Sequence, residues 1–62
     1  MDADKLQRGQ QYRIKDSVET KVCTRPMMYT GTQRYGSETY HAFWDTTMKL
    51  GYWIDPQDVE PA

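Results

Sequence analysis

The chain lacks most of what a small protein uses to hold itself together. It has one cysteine, Cys23, among 62 residues, so no intramolecular disulfide can form. Small secreted domains usually carry several, and a reducing, cytoplasmic setting is expected. One cysteine and one histidine, His41, fall short of the four ligands of a structural zinc site. No metal and no cofactor are expected. No apolar run exceeds three residues, far below the ~20 that span a bilayer. The opening Met1-Asp2-Ala3-Asp4-Lys5 is acidic and polar, without the basic start and apolar stretch of a signal peptide. Aliphatic residues are scarce too: Val, Ile, Leu and Phe together number eight. Such a shortage signals disorder when net charge is high, but here the net charge is −1.

Rings and thioethers fill the gap. Tyr, Trp and Met total eleven, and each aromatic can bury ~150–250 Å². The expectation is one aromatic-built domain over residues 1–62, with 1–5 flexible. A domain this short buries only ~60% of the surface of its unfolded chain. That excludes a second domain and a deep catalytic pocket between layers.

Strand patterns dominate, because Gly or Pro interrupts every candidate helix. In Gln11–Asp16, Tyr12 and Ile14 alternate with Arg13 and Lys15. Asp16-Ser17 reads as a turn. Glu19–Thr30 reads as a second strand in which Thr20, Val22 and Thr24 share a face. Pro26 forces an edge, bend or bulge there. Gly31–Ser37 reads as a loop with a glycine near each end. Thr39–Trp44 and Met48–Ile54 form a hairpin around Asp45-Thr46-Thr47. Juxtaposing their apolar sets puts Tyr40, Ala42, Trp44, Leu50, Tyr52 and Ile54 in the core. Phe43 and Trp53 are left outside, and Gly51 is a candidate bulge. Asp55 suits a helix N-cap and Pro56 a first helical position, so a helical turn precedes a short last strand at Val59. The resulting fold class is all-β: a small barrel of four to five antiparallel strands with one short 3-10 turn near the C-terminus.

The opening Leu6-Gln-Arg-Gly9-Gln-Gln-Tyr12-Arg-Ile14-Lys15 resembles the glycine-polar-aromatic-basic first strand of SH3-like small barrels. The ending Gly51-Tyr-Trp-Ile54-Asp-Pro56-Gln-Asp-Val59-Glu60-Pro61 resembles their closing strand, 3-10 turn and last short strand. The resemblance implies a fold shared by many functions. The acidic loop and Ala-Leu-Tyr-Asp-Tyr type motif of the polyproline-binding members are missing, so it carries over no binding site.

Catalytic chemistry finds little support. Cys23 and His41 are the only thiol–imidazole pair, with Lys21 and Arg25 flanking the cysteine. An activated nucleophile also needs an orienting third group and an oxyanion site, and neither is evident. The acidic residues Glu38, Asp45, Asp55, Asp58 and Glu60 lie in polar stretches, as surface groups or caps. The chain reads as a non-enzyme.

Binding is the better supported class. Trp53 and Phe43, left outside the hairpin core, are residue types that anchor interfaces. Arg34 and Tyr35 at the loop tip, with His41 nearby, would tune specificity, and His41 would add a response to pH near neutrality. The expected function is docking on a protein partner to block, bridge or regulate it, in the manner of a phage, mobile-element or bacterial accessory regulator or inhibitor. A homodimer through the aromatic face would serve the same need for burial. No membrane role is expected. The alternative is a nucleic-acid-binding barrel. Lys5–Arg34 carries seven cations against Asp16 and Glu19, whereas Tyr35 to the end has only Lys49 against five acids. Arg13, Lys15, Lys21, Arg25 and Arg34 would then contact phosphates. Against it stand a pI of about 5.6, well below the >9 of basic binding domains, and the simpler outcome that the two halves neutralise each other across paired strands.

Overall fold

The computed structural model describes residues 1–62. Its five antiparallel strands are β1 (Gln11–Ile14), β2 (Met27–Tyr35), β3 (Glu38–Asp45), β4 (Leu50–Trp53) and β5 (Val59–Pro61). They form one sheet in the order β4-β3-β2-β1-β5. Two 3-10 turns, Ala3–Lys5 and Pro56–Asp58, complete the regular structure. The chain is therefore all-β, with the short turn placed before the last strand as its sequence indicates. Asp55 caps that turn, its Oδ1 accepting the Gln57 N–H at 3.1 Å, and Pro56 opens it.

The core collects on one face of the sheet. Tyr12 and Ile14 of β1, Met27 and Tyr29 of β2, Phe43 of β3, Val59 of β5 and Cys23 form a buried cluster. Met1, Leu6, Val18, Tyr52 and Ile54 pack around it. Three rings supply most of its bulk. Tyr12 meets Tyr29 and Phe43 edge-on, at centroid distances of 6.3 and 6.2 Å, the geometry that aromatic quadrupoles favour. The Tyr12 hydroxyl stays satisfied at the margin by accepting the Gln7 N–H at 2.8 Å. Residues 1–5, expected to be flexible, contain the first 3-10 turn and bring Met1 onto this core.

Three local expectations are corrected. First, no strand forms between Ile14 and Pro26: residues 15–26 are turns and bends between β1 and β2. Thr20, Val22 and Thr24 alternate in sequence, but Val22 is exposed and no strand pairs with them, so β propensity finds no ladder to join. Lys21 instead ties the loop to itself by donating to the Val18 carbonyl at 2.6 Å. Second, Gly31–Ser37 is not a loop. β2 continues to Tyr35, which pairs with Glu38 across the two-residue turn Gly36-Ser37. Gly36 has φ +64 and Ser37 has no positive φ, the pattern of a type II′ hairpin turn with glycine first.

Third, the bulge lies in β2 rather than at Gly51. Tyr29 pairs with Phe43 and Gly31 with Ala42, leaving Thr30 as the extra residue. Gly31 takes φ +110, and the Arg8 side chain packs close to where a Cβ would sit, its Nε 3.3 Å away. The bulge bends β2 and increases its twist, letting the sheet wrap its small core. β3 and β4 pair without a shift, Phe43 with Tyr52 and Trp44 with Gly51.

That register reverses the expected core face of β3, whereas in β4 Tyr52 and Ile54 pack on the core and Trp53 stays outside, as expected. Phe43 is 1% exposed, at the centre of the core, while Leu50 is 48% exposed. Trp44 stands on the outer face. Tyr40-His41-Ala42-Phe43-Trp44 has apolar residues on both faces, so alternation carried no information about which faces inward. A one-residue change of parity in β3 alone exchanges Phe43 for Tyr40, Ala42 and Trp44.

Candidate functional site

The outer face of β2, β3 and β4 carries the most distinctive surface of the molecule. Pairing of Gln33 with Tyr40 and of Ala42 with Trp53 brings side chains from three strands together. Trp53 lies flat against Tyr40, with centroids 4.3 Å apart and planes 11° apart. Tyr35 tilts against the same indole at 6.2 Å. The Trp53 Nε1–H donates to Gln33 Oε1 at 2.8 Å, fixing the ring in the plane of the face. Ala42 is buried beneath this group although its side chain points outward, because Trp53 covers it. Tyr35 and Trp53 remain 71% and 48% exposed.

Trp53 divides two shallow grooves. On one side a cleft of about 350 Å³ runs between Trp53 and Trp44, floored by Ala42 and Gly51. Trp44 lies over Gly51, its Cε3 3.6 Å from where a glycine Cβ would be. On the other side a cleft of about 380 Å³ is bounded by Tyr40, His41, Asp55 and Pro56. The face thus offers flat rings, hydrogen-bonding rims and no enclosed pocket. Such a surface suits an extended macromolecular ligand better than a small substrate.

The residues singled out from the sequence fall in different places. Trp53 and Tyr35 lie together on this face. Arg34 is exposed on β2, one residue from Tyr35 and on the opposite side of the strand. His41 sits half-buried at the rim, its Nδ1 2.9 Å from the Tyr29 hydroxyl. Burial raises the Tyr29 pKa, so that hydroxyl stays protonated. Phe43 is withdrawn from the site: it is a core residue and unavailable to a partner. Tyr40, Trp44 and Gln33 are gained, the first two having been assigned to the core. The short Gly36-Ser37 turn is the signal that finds them, since it fixes the register placing Tyr35 and Tyr40 beside Trp53.

Three cations of the first half are engaged locally. Arg13 forms an ion pair with Glu60, directly opposite it on β5, and another with Asp16 at 3.5 Å. Arg25 Nη2 lies 2.5 Å from Asp45 Oδ2, and Lys21 is spent on loop carbonyls. Two of these pairs join the basic first half to the acidic second half.

Asp45 is the one buried acid, 1% exposed. Besides Arg25 it accepts the Thr47 and Met48 N–H groups at 3.0 and 3.4 Å and faces Cys23 Sγ at 3.4 Å. The Arg25 guanidinium is the main reason its pKa falls to about 2, with the Met48 N–H, the Cys23 thiol and the Thr47 N–H adding to it against the opposing effect of burial. The cluster anchors the end of the β1–β2 loop to the β3–β4 turn. Cys23 and His41 share no hydrogen bond; the thiol faces Asp45 and the imidazole faces Tyr29. No group of three His, Cys, Asp or Glu side chains is gathered in metal-ligating geometry, and no helix is long and apolar enough to cross a membrane. Comparison with protein-family models, curated proteins and solved structures found no match for the chain.

Proposed function

We propose that the chain is a small non-enzymatic binding module that docks a protein partner on the Tyr35–Trp53–Tyr40 face and blocks, bridges or regulates that partner. The carrying observation is the held, half-exposed indole of Trp53, stacked on Tyr40 and hydrogen-bonded to Gln33. Exposed rings cost solubility unless something covers them, and Trp and Tyr are the residues in which binding energy concentrates. A pre-ordered ring also loses little rotamer freedom on docking. The sheet order and the turn before β5 support reading the architecture as an SH3-like barrel, consistent with the resemblance at the two chain ends.

The nucleic-acid alternative draws less support, because Arg13 and Arg25 are engaged with acids and Arg34 is separated from them along β2. Affinity capture on the immobilised chain, with and without nuclease, tests the reading beside a Trp53→Ala control. Docking through the aromatic face predicts a protein retained after nuclease and lost with Trp53→Ala. Retention that disappears with nuclease and survives Trp53→Ala contradicts it.

A further inference from the structure

The sheet has two edges, and only one is closed to further pairing. In β5 the backbone groups of Glu60 face β1, as the flanking bonds Lys15 N–H to Asp58 O and Ala62 N–H to Gln11 O require. Pro61 therefore occupies an outward position, where it has no N–H to offer, which blunts that edge. β4 is different. The bond from Ile54 N–H to His41 O fixes its phase: Leu50 and Tyr52 turn their backbone groups toward β3, and Gly51 and Trp53 turn theirs outward. None of those outward groups has a hydrogen-bond partner within the chain. Met48 and Leu50, both exposed, lie along the same edge.

We infer that β4 pairs antiparallel with β4 of a second copy, giving a two-fold dimer centred on Tyr52. This goes beyond the docking reading, because it uses the strand's edge and leaves the outer face open. The sequence of the edge is self-complementary in this register. Gly51 of one chain stands opposite Trp53 of the other, so both outward-facing residues of each chain bond to their counterparts. Gly51 has no side chain to obstruct the approach of the second strand, and Trp53 stays stacked on Tyr40 of its own chain. Leu50 meets Ile54 of the second copy. Just beyond the strand ends, Lys49 comes beside the opposite charge of the other chain's Asp55. A two-fold centred on Gly51 would instead set Trp53 against Lys49, whose φ of +57 takes it out of the strand and loses bonds. A net charge of −1 does little to oppose self-association. The contact is short, below the ~1,000 Å² of stable interfaces, so a weak dimer with a dissociation constant of about 100 µM is expected.

Sedimentation equilibrium across concentration, joined to amide exchange by NMR, tests the pairing. The expected result is reversible growth from 7.3 kDa to twice that mass, with the Gly51 and Trp53 amides gaining protection in step. Leu50→Lys, at an exposed position, should raise the dissociation constant at least about tenfold while the fold is retained by circular dichroism. Tyr35→Ala should leave dimerisation unchanged although it damages the docking face, so the two readings fail separately. A single 7.3 kDa species up to about 1 mM overturns the inference. So does a dimer whose Gly51 and Trp53 amides stay unprotected, or an assembly that keeps growing beyond two chains.

Discussion

Trp53 and Tyr40 stack face to face, 4.3 Å apart at 11°, on the solvent side of a sheet whose opposite side is the core. The Gln33 side chain holds the indole N–H and thereby sets the orientation of the pair. Gln33→Ala should release the indole without disturbing the core, since Gln33 is itself exposed. Near-ultraviolet circular dichroism should weaken, while the unfolding midpoint changes by less than about 1 kcal/mol of stability.

The hairpin's two large residues of opposite parity should respond in opposite ways. Phe43→Ala empties the centre of the core and should cost about 3–5 kcal/mol. Total stabilities start at about 5 kcal/mol, so this variant should be marginally stable and up to about half unfolded. Trp53→Ala removes a ring that is half in solvent and should leave a folded chain. Urea unfolding followed by far-ultraviolet circular dichroism checks both, and a folded Phe43→Ala beside an unfolded Trp53→Ala would reverse the assigned faces.

Asp45 should make the fold acid-sensitive. Its carboxylate is held in the folded state with a pKa of about 2, below the ~3.9 of an unfolded aspartate. Its ion-pair stabilisation is therefore complete above about pH 4 and is lost as pH falls from there through about 2. Thermal melts of the native chain should drop across that window. Asp45→Asn should melt lower at neutral pH and show a shallower decline in acid. Equal slopes in the two proteins would contradict the assignment.

Two glycines should separate backbone strain from open space. Gly31→Ala must adopt φ +110 against the Arg8 side chain and should cost about 1–3 kcal/mol. Gly51 has no positive φ, and its new methyl would meet Trp44 at ordinary contact distance. Gly51→Ala should be neutral or gain about 0.4–1 kcal/mol through the unfolded state. Denaturant midpoints at low protein concentration compare them directly.

The sequence was readable where the determinants are local. Asp55-Pro56 announces a capped turn because the cap and the fixed proline φ act within three residues. Tyr12 and Ile14 announce a strand because charged neighbours mark the other face. It was unreadable where the determinants are distant. Nothing near Phe43 distinguishes its side of β3 from that of Trp44, and only pairing with Tyr29 and Tyr52 decides. Thr20, Val22 and Thr24 look like strand residues, but the chain supplies them no partner. The outer aromatic face was hard to read for both reasons, since its members lie on three strands and two of them carry the residue types of a core.

Docking through the outer face is tested most directly by the affinity of a captured protein partner for the native chain and for Trp53→Ala, each at several ionic strengths. A central ring of this kind predicts a loss of at least about 2 kcal/mol, roughly thirtyfold, for Trp53→Ala. The native affinity should change little with salt. An unchanged affinity in Trp53→Ala, with steep salt dependence and a large loss in Arg34→Ala, would contradict docking through these rings and place recognition on the cations instead.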